Sequence, residues 1–79
     1  MYKKQTLRAG ETYFVAGYHH NIAKNILKNL LLLGFTKGTQ VSVNRISSGG
    51  RSVEVIIRGE KLVVQHSALM SIYMKNIQC

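Results

Sequence analysis

The chain has 79 residues, one cysteine and a formal net charge of +8, with 11 lysines and arginines against three acids. So short a chain can bury only a small core, the lone Cys79 excludes an internal disulfide, and no apolar run approaches the roughly 20 residues that span a bilayer. The charge favours an acidic protein, nucleic acid or anionic lipid as partner. Because the basic residues are scattered along the chain, the charge alone does not choose among these partners.

These limits predict the organisation of the chain. We expect one domain over residues 1–79, with a core in residues 6–75 and flexible ends. No signal-peptide core follows the first residues, so we expect a cytoplasmic protein. Cys79 stands where chains usually fray, and we interpret it as an inert thiol.

The first two predicted elements are a strand and a helix. Residues 12–18 are rich in aromatic and β-branched side chains and predict a strand. Residues 21–33 predict an amphipathic helix, with Asn21 as N-cap and Gly34 as the left-handed residue that ends it. At about 100° per residue, one half of its circumference is apolar: Ile22, Ala23, Ile26, Leu27, Leu30, Leu31 and Leu33.

Leu32 breaks this helical pattern, because it falls in the middle of the polar half. One interpretation is a helix packed on more than one side, or a single exposed leucine that has no further role. The other interpretation is a contact for a partner.

Four more strands are predicted, over residues 40–46, 53–58, 61–65 and 72–77. A flexible loop at residues 47–50 and a hairpin turn at Gly59 and Glu60 separate the middle strands. Residues 67–70 predict one helical turn capped by Ser67. The alternating pattern points these side chains inward: Val41, Val43, Val53, Val55, Ile57, Leu62, Val64, Ile72 and Met74. Five short strands and one helix predict a mostly β domain, a small and partly open barrel.

The sequence shows no catalytic constellation. The three acids are Glu11, Glu54 and Glu60, the first and last in predicted turns and Glu54 directed toward solvent. A general base needs an orienting partner and a pocket. The serines lack a nucleophile-elbow context, and two adjacent glycines alone do not make a phosphate-binding loop. We therefore expect a protein that is not an enzyme.

The order of elements carries a family resemblance. Its centre is the segment Leu33-Gly34-Phe35-Thr36-Lys37-Gly38-Thr39, and matching apolar and glycine positions extend it from about residue 6 to residue 74: Leu7, Gly10, Tyr13, Val15, Ile26, Leu30, Leu31, Val41, Val53, Val55, Ile57, Gly59, Leu62, Val64, Ala68, Ile72 and Met74. In these residues the chain resembles the bacterial ferrous iron transport protein A (FeoA) family. The resemblance implies an SH3-like barrel with an inserted helix, a fold shared with the C-terminal domain of metal-dependent repressors of the diphtheria toxin repressor type.

The resemblance also implies a function. Family members are small cytoplasmic proteins of ferrous iron uptake that act on a large membrane permease carrying a cytoplasmic GTP-binding domain. The chain departs from the family pattern at Lys37, where many members have proline, and at Leu32, where a charged residue is frequent. The second departure supports an outward-facing Leu32.

Metal ligands are scarce despite this iron context. The weak candidates are His19, His20 and His66, with Cys79 as a further donor. Adjacent residues on an extended chain point to opposite sides, so His19 and His20 are not expected to share a site. No spacing fits a closed metal site, and the carboxylates that ferrous iron favours are few. We expect neither a metal ligand set nor a cofactor.

Nucleic acid is the alternative partner, since a basic small barrel can hold phosphates without a motif. Candidate stacking residues are Tyr2, Tyr18 and Tyr73. Candidate phosphate contacts, expected on neighbouring strands, are Arg45, Arg51 and Arg58.

The preferred interpretation is an interaction module without catalysis, which docks on the cytoplasmic part of the iron permease and modulates transport. Docking would recruit it to the inner face of the cell membrane. The predicted surface is the polar face of the helix and the adjoining loop, with two arginines across the barrel as second choice: His19, His20, Lys24, Lys28, Leu32, Arg45 and Arg51. Weak self-association through Leu32 is a further hypothesis.

Overall fold

The structure is a computed structural model that describes residues 7–77. The expectations for Tyr2, Cys79 and flexible ends lie outside these residues. Within them, the elements are β1 (Thr12–Tyr18), α1 (Lys24–Leu33), β2 (Gln40–Ile46), β3 (Ser52–Ile57), β4 (Glu60–Gln65), α2 (His66–Leu69) and β5 (Ile72–Asn76). The predicted mostly β class, with one helix of substantial length, is confirmed.

The five strands form one antiparallel sheet in the order β4-β3-β2-β1-β5. The pairing register shifts twice, in β1 between Val15 and Gly17 and in β2 between Val43 and Arg45. Such bulges bend a strand and increase its twist. They curl the sheet around its apolar face, as a small barrel requires.

The core lies on the concave face of this sheet. The alternating pattern predicted its strand residues correctly, except that Leu62 is only partly buried. The fully or almost fully buried side chains are Leu7, Tyr13, Val15, Leu30, Phe35, Val41, Val43, Val53, Val55, Ile57, Val64, Leu69, Ile72 and Met74. Strands with one buried face show this period-2 pattern because successive side chains point to opposite sides.

The hairpin between β3 and β4 differs from the prediction by one residue. Arg58 and Gly59 are its central residues, with φ of 52° and 80°, and Ile57 pairs with Glu60. Two consecutive positive φ values match the type I′ turn that suits the twist of paired strands. The prediction placed Gly59 and Glu60 in the turn, whereas the structure uses Arg58, a residue type that rarely adopts a left-handed conformation.

Helix α1 starts later than predicted. Its N-cap is Ala23, with no side-chain cap bond, and Asn21 instead donates its backbone N–H to Nδ1 of His19 at 3.2 Å. Residues 19–23 are used to turn the chain away from β1, and the Ile22 N–H bonds the His19 carbonyl at 3.0 Å. The C-terminal prediction is confirmed, since Gly34 has a φ of 109° and caps the helix.

The helix buries a narrower stripe than its apolar half predicts. Leu30 is its one buried residue, whereas Leu31 and Leu33 are 42% and 43% exposed. The sequence placed both on the apolar half, but a short helix on a small barrel is covered along one line only. Leu32 faces outward, with 76% of its surface exposed.

Two loop predictions also change. Residues 47–50 form a hydrogen-bonded turn, in which the Gly50 N–H donates to the Ser47 carbonyl at 2.8 Å. The Ser52 N–H donates to Ser47 Oγ at 3.1 Å. Helix α2 begins at His66 after Gln65, so Ser67 lies inside the helical turn and does not cap it.

Tyr13 organises the segment that precedes β1. Its buried hydroxyl accepts the Arg8 N–H at 2.9 Å and donates to Oε1 of Glu11 at 3.3 Å. The same carboxylate accepts a bond from Nδ2 of Asn76 at 2.6 Å. Burial raises the pKa of Tyr13, the Glu11 carboxylate adds to the rise, and the bond from the Arg8 N–H opposes it.

Replacing Leu30 with alanine should lower the free energy of unfolding by about 2–5 kcal/mol, because it opens a cavity in the core. The matched change Leu32→Ala should alter it by no more than about 0.5 kcal/mol, since the side chain already lies in water. Urea denaturation of both variants measures the difference. Equal losses would contradict the assignment of Leu30 inward and Leu32 outward.

Tyr13→Phe should flatten the alkaline loss of stability. A raised pKa means that the folded state keeps the phenolic proton more tightly, so the stabilisation is complete below the ordinary tyrosine value of about 10 and is lost as pH rises through the folded-state pKa. Tyr13→Phe lacks this alkaline loss, although its stability at neutral pH is lower because the two hydrogen bonds of the hydroxyl are missing. Thermal unfolding across the alkaline range measures the pH dependence of stability. Tyr18→Phe, which keeps Tyr13, should retain the steep loss, and identical slopes in all three proteins would contradict the assignment.

Candidate interaction surfaces

The first candidate surface is a groove on α1, here called the helix groove, formed by Lys24, Leu27, Lys28, Leu31 and Leu32. Three of these residues, Lys24, Lys28 and Leu32, were predicted to bind a partner, and the structure brings them together. Leu27 and Leu31, which the sequence places on the apolar half of the helix, supply the apolar floor of the groove. An exposed leucine beside two ammonium groups suits a partner that offers an apolar side chain next to a carboxylate.

The lysines of the helix groove are one turn apart. Like charges at this spacing repel each other weakly, by about 0.2–0.5 kcal/mol on an isolated helix. The first turn of α1 holds no acid that would relieve this repulsion. A carboxylate from a partner would therefore remove an unfavourable interaction as well as add a favourable one.

The two adjacent histidines do not line this groove. They lie where the chain leaves β1, and their rings stack at 4.9 Å with an angle of 16°. The prediction that they point to opposite sides was wrong, because residues 19–21 turn and the alternation of a strand no longer applies. His19 also packs 6.0 Å from the ring of Tyr73, and its Nδ1 already accepts the Asn21 N–H.

The second-choice arginines lie in two clefts next to the serine-glycine turn. Arg45 shares a cleft with Ser52 and Val63, and Arg51 shares a neighbouring one with Ser52 and His66. Arg51 precedes β3 and Arg58 lies in the turn after it, so neither stands on a strand as expected. Arg45 and Arg51 thus line two clefts that share Ser52 and are separate from the helix groove, and the cleft of Arg45 also contains Glu54.

Within residues 7–77, no group of three or more histidine, cysteine or acidic side chains is placed to hold a metal ion. His66 stands at the start of α2 beside Arg51, apart from the stacked histidines. Glu54 accepts a bond from Asn44 and lies 3.9 Å from the Lys61 ammonium. An exposed ion pair of this kind contributes little to stability.

Tyr18 has a structural role. Its hydroxyl donates to the carbonyl oxygen of Phe35 at 2.7 Å, and its ring packs against the core. Tyr73 packs beside His19. Of the three tyrosines predicted as candidates for base stacking, the two that lie within residues 7–77 are therefore engaged with the protein itself.

None of the helices in the described part of the chain combines the length and apolar composition needed to traverse a bilayer.

Comparison with known proteins gives a family and a fold. The model of the FeoA domain matches residues 5–76. No curated protein sequence matches the chain significantly.

Solved structures share the fold. The FeoA protein from Chlorobium tepidum is 22% identical, with a TM-score of 0.79 over 90% of this chain and 66% of its own. The FeoA-like protein from Clostridium acetobutylicum is 15% identical, with a TM-score of 0.82 over 92% of this chain and 83% of its own. A manganese-dependent transcriptional repressor in complex with manganese is 18% identical, with a TM-score of 0.81 over 90% of this chain and 34% of its own. These likenesses confirm the SH3-like fold that the sequence resemblance implied. This chain spans just under two thirds of the Chlorobium protein.

Tyr18→Phe should lower the free energy of unfolding by about 1–3 kcal/mol, because the carbonyl of the buried Phe35 loses its hydrogen bond. The amide of Phe35, which donates to the Leu30 carbonyl, should exchange faster with solvent as the junction between α1 and the sheet loosens. Urea denaturation and hydrogen exchange measure the two effects. Unchanged stability and exchange would show that the bond does not hold this junction.

Proposed function

The chain belongs to the FeoA domain family, which implies a role in ferrous iron transport, and we propose that it docks on the cytoplasmic part of a ferrous iron permease and modulates transport without catalysis. In this proposal ferrous iron is the cargo of the permease, and the chain holds no cofactor of its own. Docking would bring the chain to the inner face of the cell membrane.

The exposed Leu32 in the helix groove is the observation that supports docking most directly. Three quarters of its surface is exposed, and it shares the groove with two further leucines. Fully burying a leucine side chain contributes about 1.5–3 kcal/mol. One such residue can therefore change a dissociation constant by roughly tenfold to a hundredfold.

Charge supports the choice of an acidic partner surface. The net charge of +8 attracts such a surface over a distance of about a Debye length, and Lys24 and Lys28 then meet it at the groove. His19 and His20, in the loop that leads to α1, are further contacts in this proposal. Arg45 and Arg51, in their two neighbouring clefts, are the second-choice contacts.

The alternative function is binding of RNA or DNA. It is supported by the overall charge and by Arg45 and Arg51, which line neighbouring clefts. It is weakened because Tyr18 and Tyr73 pack within the protein and offer no free stacking platform. We therefore rank it below docking on the permease.

Leu32→Glu should weaken binding to the soluble GTP-binding domain of the cognate permease by at least about tenfold. The new carboxylate removes the apolar contact, while the fold survives because residue 32 is exposed. Calorimetric titration near physiological salt measures the binding. The matched control is Ile77→Glu, the same chemical change at a half-exposed residue outside the helix groove, and it should bind like the unmodified chain.

Three outcomes would oppose this assignment. Unfolding of Leu32→Glu would place Leu32 in the core, and unchanged binding would move the docking surface elsewhere. Binding only to a pool of single-stranded RNA and duplex DNA, falling steeply as salt rises, would favour the alternative function. Sedimentation of the unmodified chain at high concentration tests self-association, which Leu32→Glu should abolish if the helix groove mediates it.

A further inference from the structure

Strand β4 forms one edge of the sheet, and its backbone geometry can be derived from the register. The His66 N–H donates to the Arg51 carbonyl at 2.8 Å, and the ladder of an antiparallel pair repeats every second residue. Val64, Leu62 and Glu60 therefore bond to β3. Lys61, Val63 and Gln65 turn their N–H and C=O groups to the other side, where the described residues provide no pairing strand.

A groove runs between this edge and helix α1, and it is called the edge groove here. Its lining comes from α1 on one wall and from β4 and α2 on the other: Ile26, Asn29, Leu30, Leu33, Val63, Val64, Gln65, Ser67 and Ala68. It shares no residue with the helix groove. A strand edge facing an apolar helix is the arrangement in which extended peptides add to a sheet, with backbone bonds on one wall and side-chain contacts on the other.

The edge lacks the usual protection at its centre. Natural edge strands carry lysine, proline or a bulge to prevent pairing with another chain. Here Lys61 supplies this protection at the end of β4 next to the turn. The residue in the middle of the edge is Val63, which is β-branched, apolar and 68% exposed. The pairing of β4 with β3 runs from Gln65 to Glu60 without a bulge.

Charge restricts the kind of segment that fits. The lining of the edge groove contains no charged residue, while Lys61 lies at one end of the edge and Arg51 stands beside Gln65 at the other. Of the acids on this hairpin, Glu54 is already paired with Asn44 and Lys61, and Glu60 lies at the turn. A strand with an apolar centre and acidic ends complements this pattern.

We propose that β4 accepts an extended segment of a partner protein, apolar in the middle and acidic at its ends, as an additional strand in the edge groove. Pairing between two copies of β4 is disfavoured, since it would bring together two chains of +8 charge. The proposal does not depend on the permease as partner, because it concerns another side of α1 and another mode of binding.

Val63→Pro is the variant that separates backbone pairing from side-chain contact. Proline removes the N–H that points to the open side, and edge strands tolerate it at such a position because the ladder to β3 is untouched. The matched control is Val63→Thr, which keeps the N–H and the β-branched shape. Circular dichroism and thermal unfolding check that both variants are folded.

The probe is a short blocked peptide in which valine alternates with threonine between glutamates at both ends. It should bind the unmodified chain saturably and shift the amide resonances of Lys61, Val63 and Gln65. Val63→Pro should weaken binding by about tenfold or more, through the lost backbone bond, and Val63→Thr by much less. A peptide with lysine in place of glutamate should also bind more weakly.

A second probe keeps the test decisive if Val63→Pro fails to fold. The same peptide, methylated on alternate backbone nitrogens, should lose binding to the unmodified chain, since it cannot donate to the edge. Equal binding of the methylated peptide, or of folded Val63→Pro, would overturn the proposal. The proposal would also be overturned if the unmodified chain formed concentration-dependent dimers that Val63→Pro abolishes and that the peptide does not compete with. That result would identify a second copy of the chain as the occupant of the edge groove. Leu32→Glu should bind the peptide normally, so failure here is distinguishable from failure of docking through the helix groove.

Discussion

The junction between α1 and the sheet is the constraint on which the surfaces of this protein depend. Gly34 ends the helix in a left-handed conformation, and Phe35 follows as a fully buried side chain. The Phe35 N–H donates to the Leu30 carbonyl at 2.9 Å, and its own carbonyl accepts the Tyr18 hydroxyl at 2.7 Å. The helix is thus fixed to β1 at one end, although Leu30 is its one buried residue.

Anchoring a helix along one line leaves two apolar flanks. Leu27 and Leu31 border the helix groove on one side, while Ile26 and Leu33 border the edge groove on the other. Within residues 7–77 both flanks are left open as grooves. The two flanks differ in chemistry, because the first offers apolar side chains with two lysines and the second adds backbone groups of β4 that no strand within residues 7–77 pairs. One helix can therefore serve two kinds of contact at once.

The sequence predicted the sheet better than it predicted the surfaces. The bounds of β1 and β2 agree with the prediction, and the inward valines of β3 are buried, since one-sided burial leaves a period-2 pattern. The start of the helix was missed because asparagine is a preferred N-cap residue, whereas Asn21 lies in the segment that turns the chain after β1.

Helical periodicity correctly predicted that Lys24, Lys28 and Leu32 lie together. It could not show that Leu31 lies in the open, because a pattern tells which side a residue faces and not whether anything covers that side. The stacking of His19 and His20 and the open edge at Val63 depend on tertiary placement and leave no local signal.

The charges of this protein determine how far it attracts a partner, but they do not determine which partner it binds. Glu11 is occupied with Tyr13 and Asn76, and Glu54 with Asn44 and Lys61, so two of the three acids satisfy groups within the fold. Since the net charge is +8, the field outside the protein is positive, and it attracts any acidic surface with a strength that salt reduces. Such a field raises association rates without selecting a partner. Selection must come from the apolar contacts, whose contribution salt screening leaves largely intact. A specific partner is then one whose acidic groups flank an apolar element that fits a groove beside α1. A partner that offers charge alone associates quickly but also dissociates quickly.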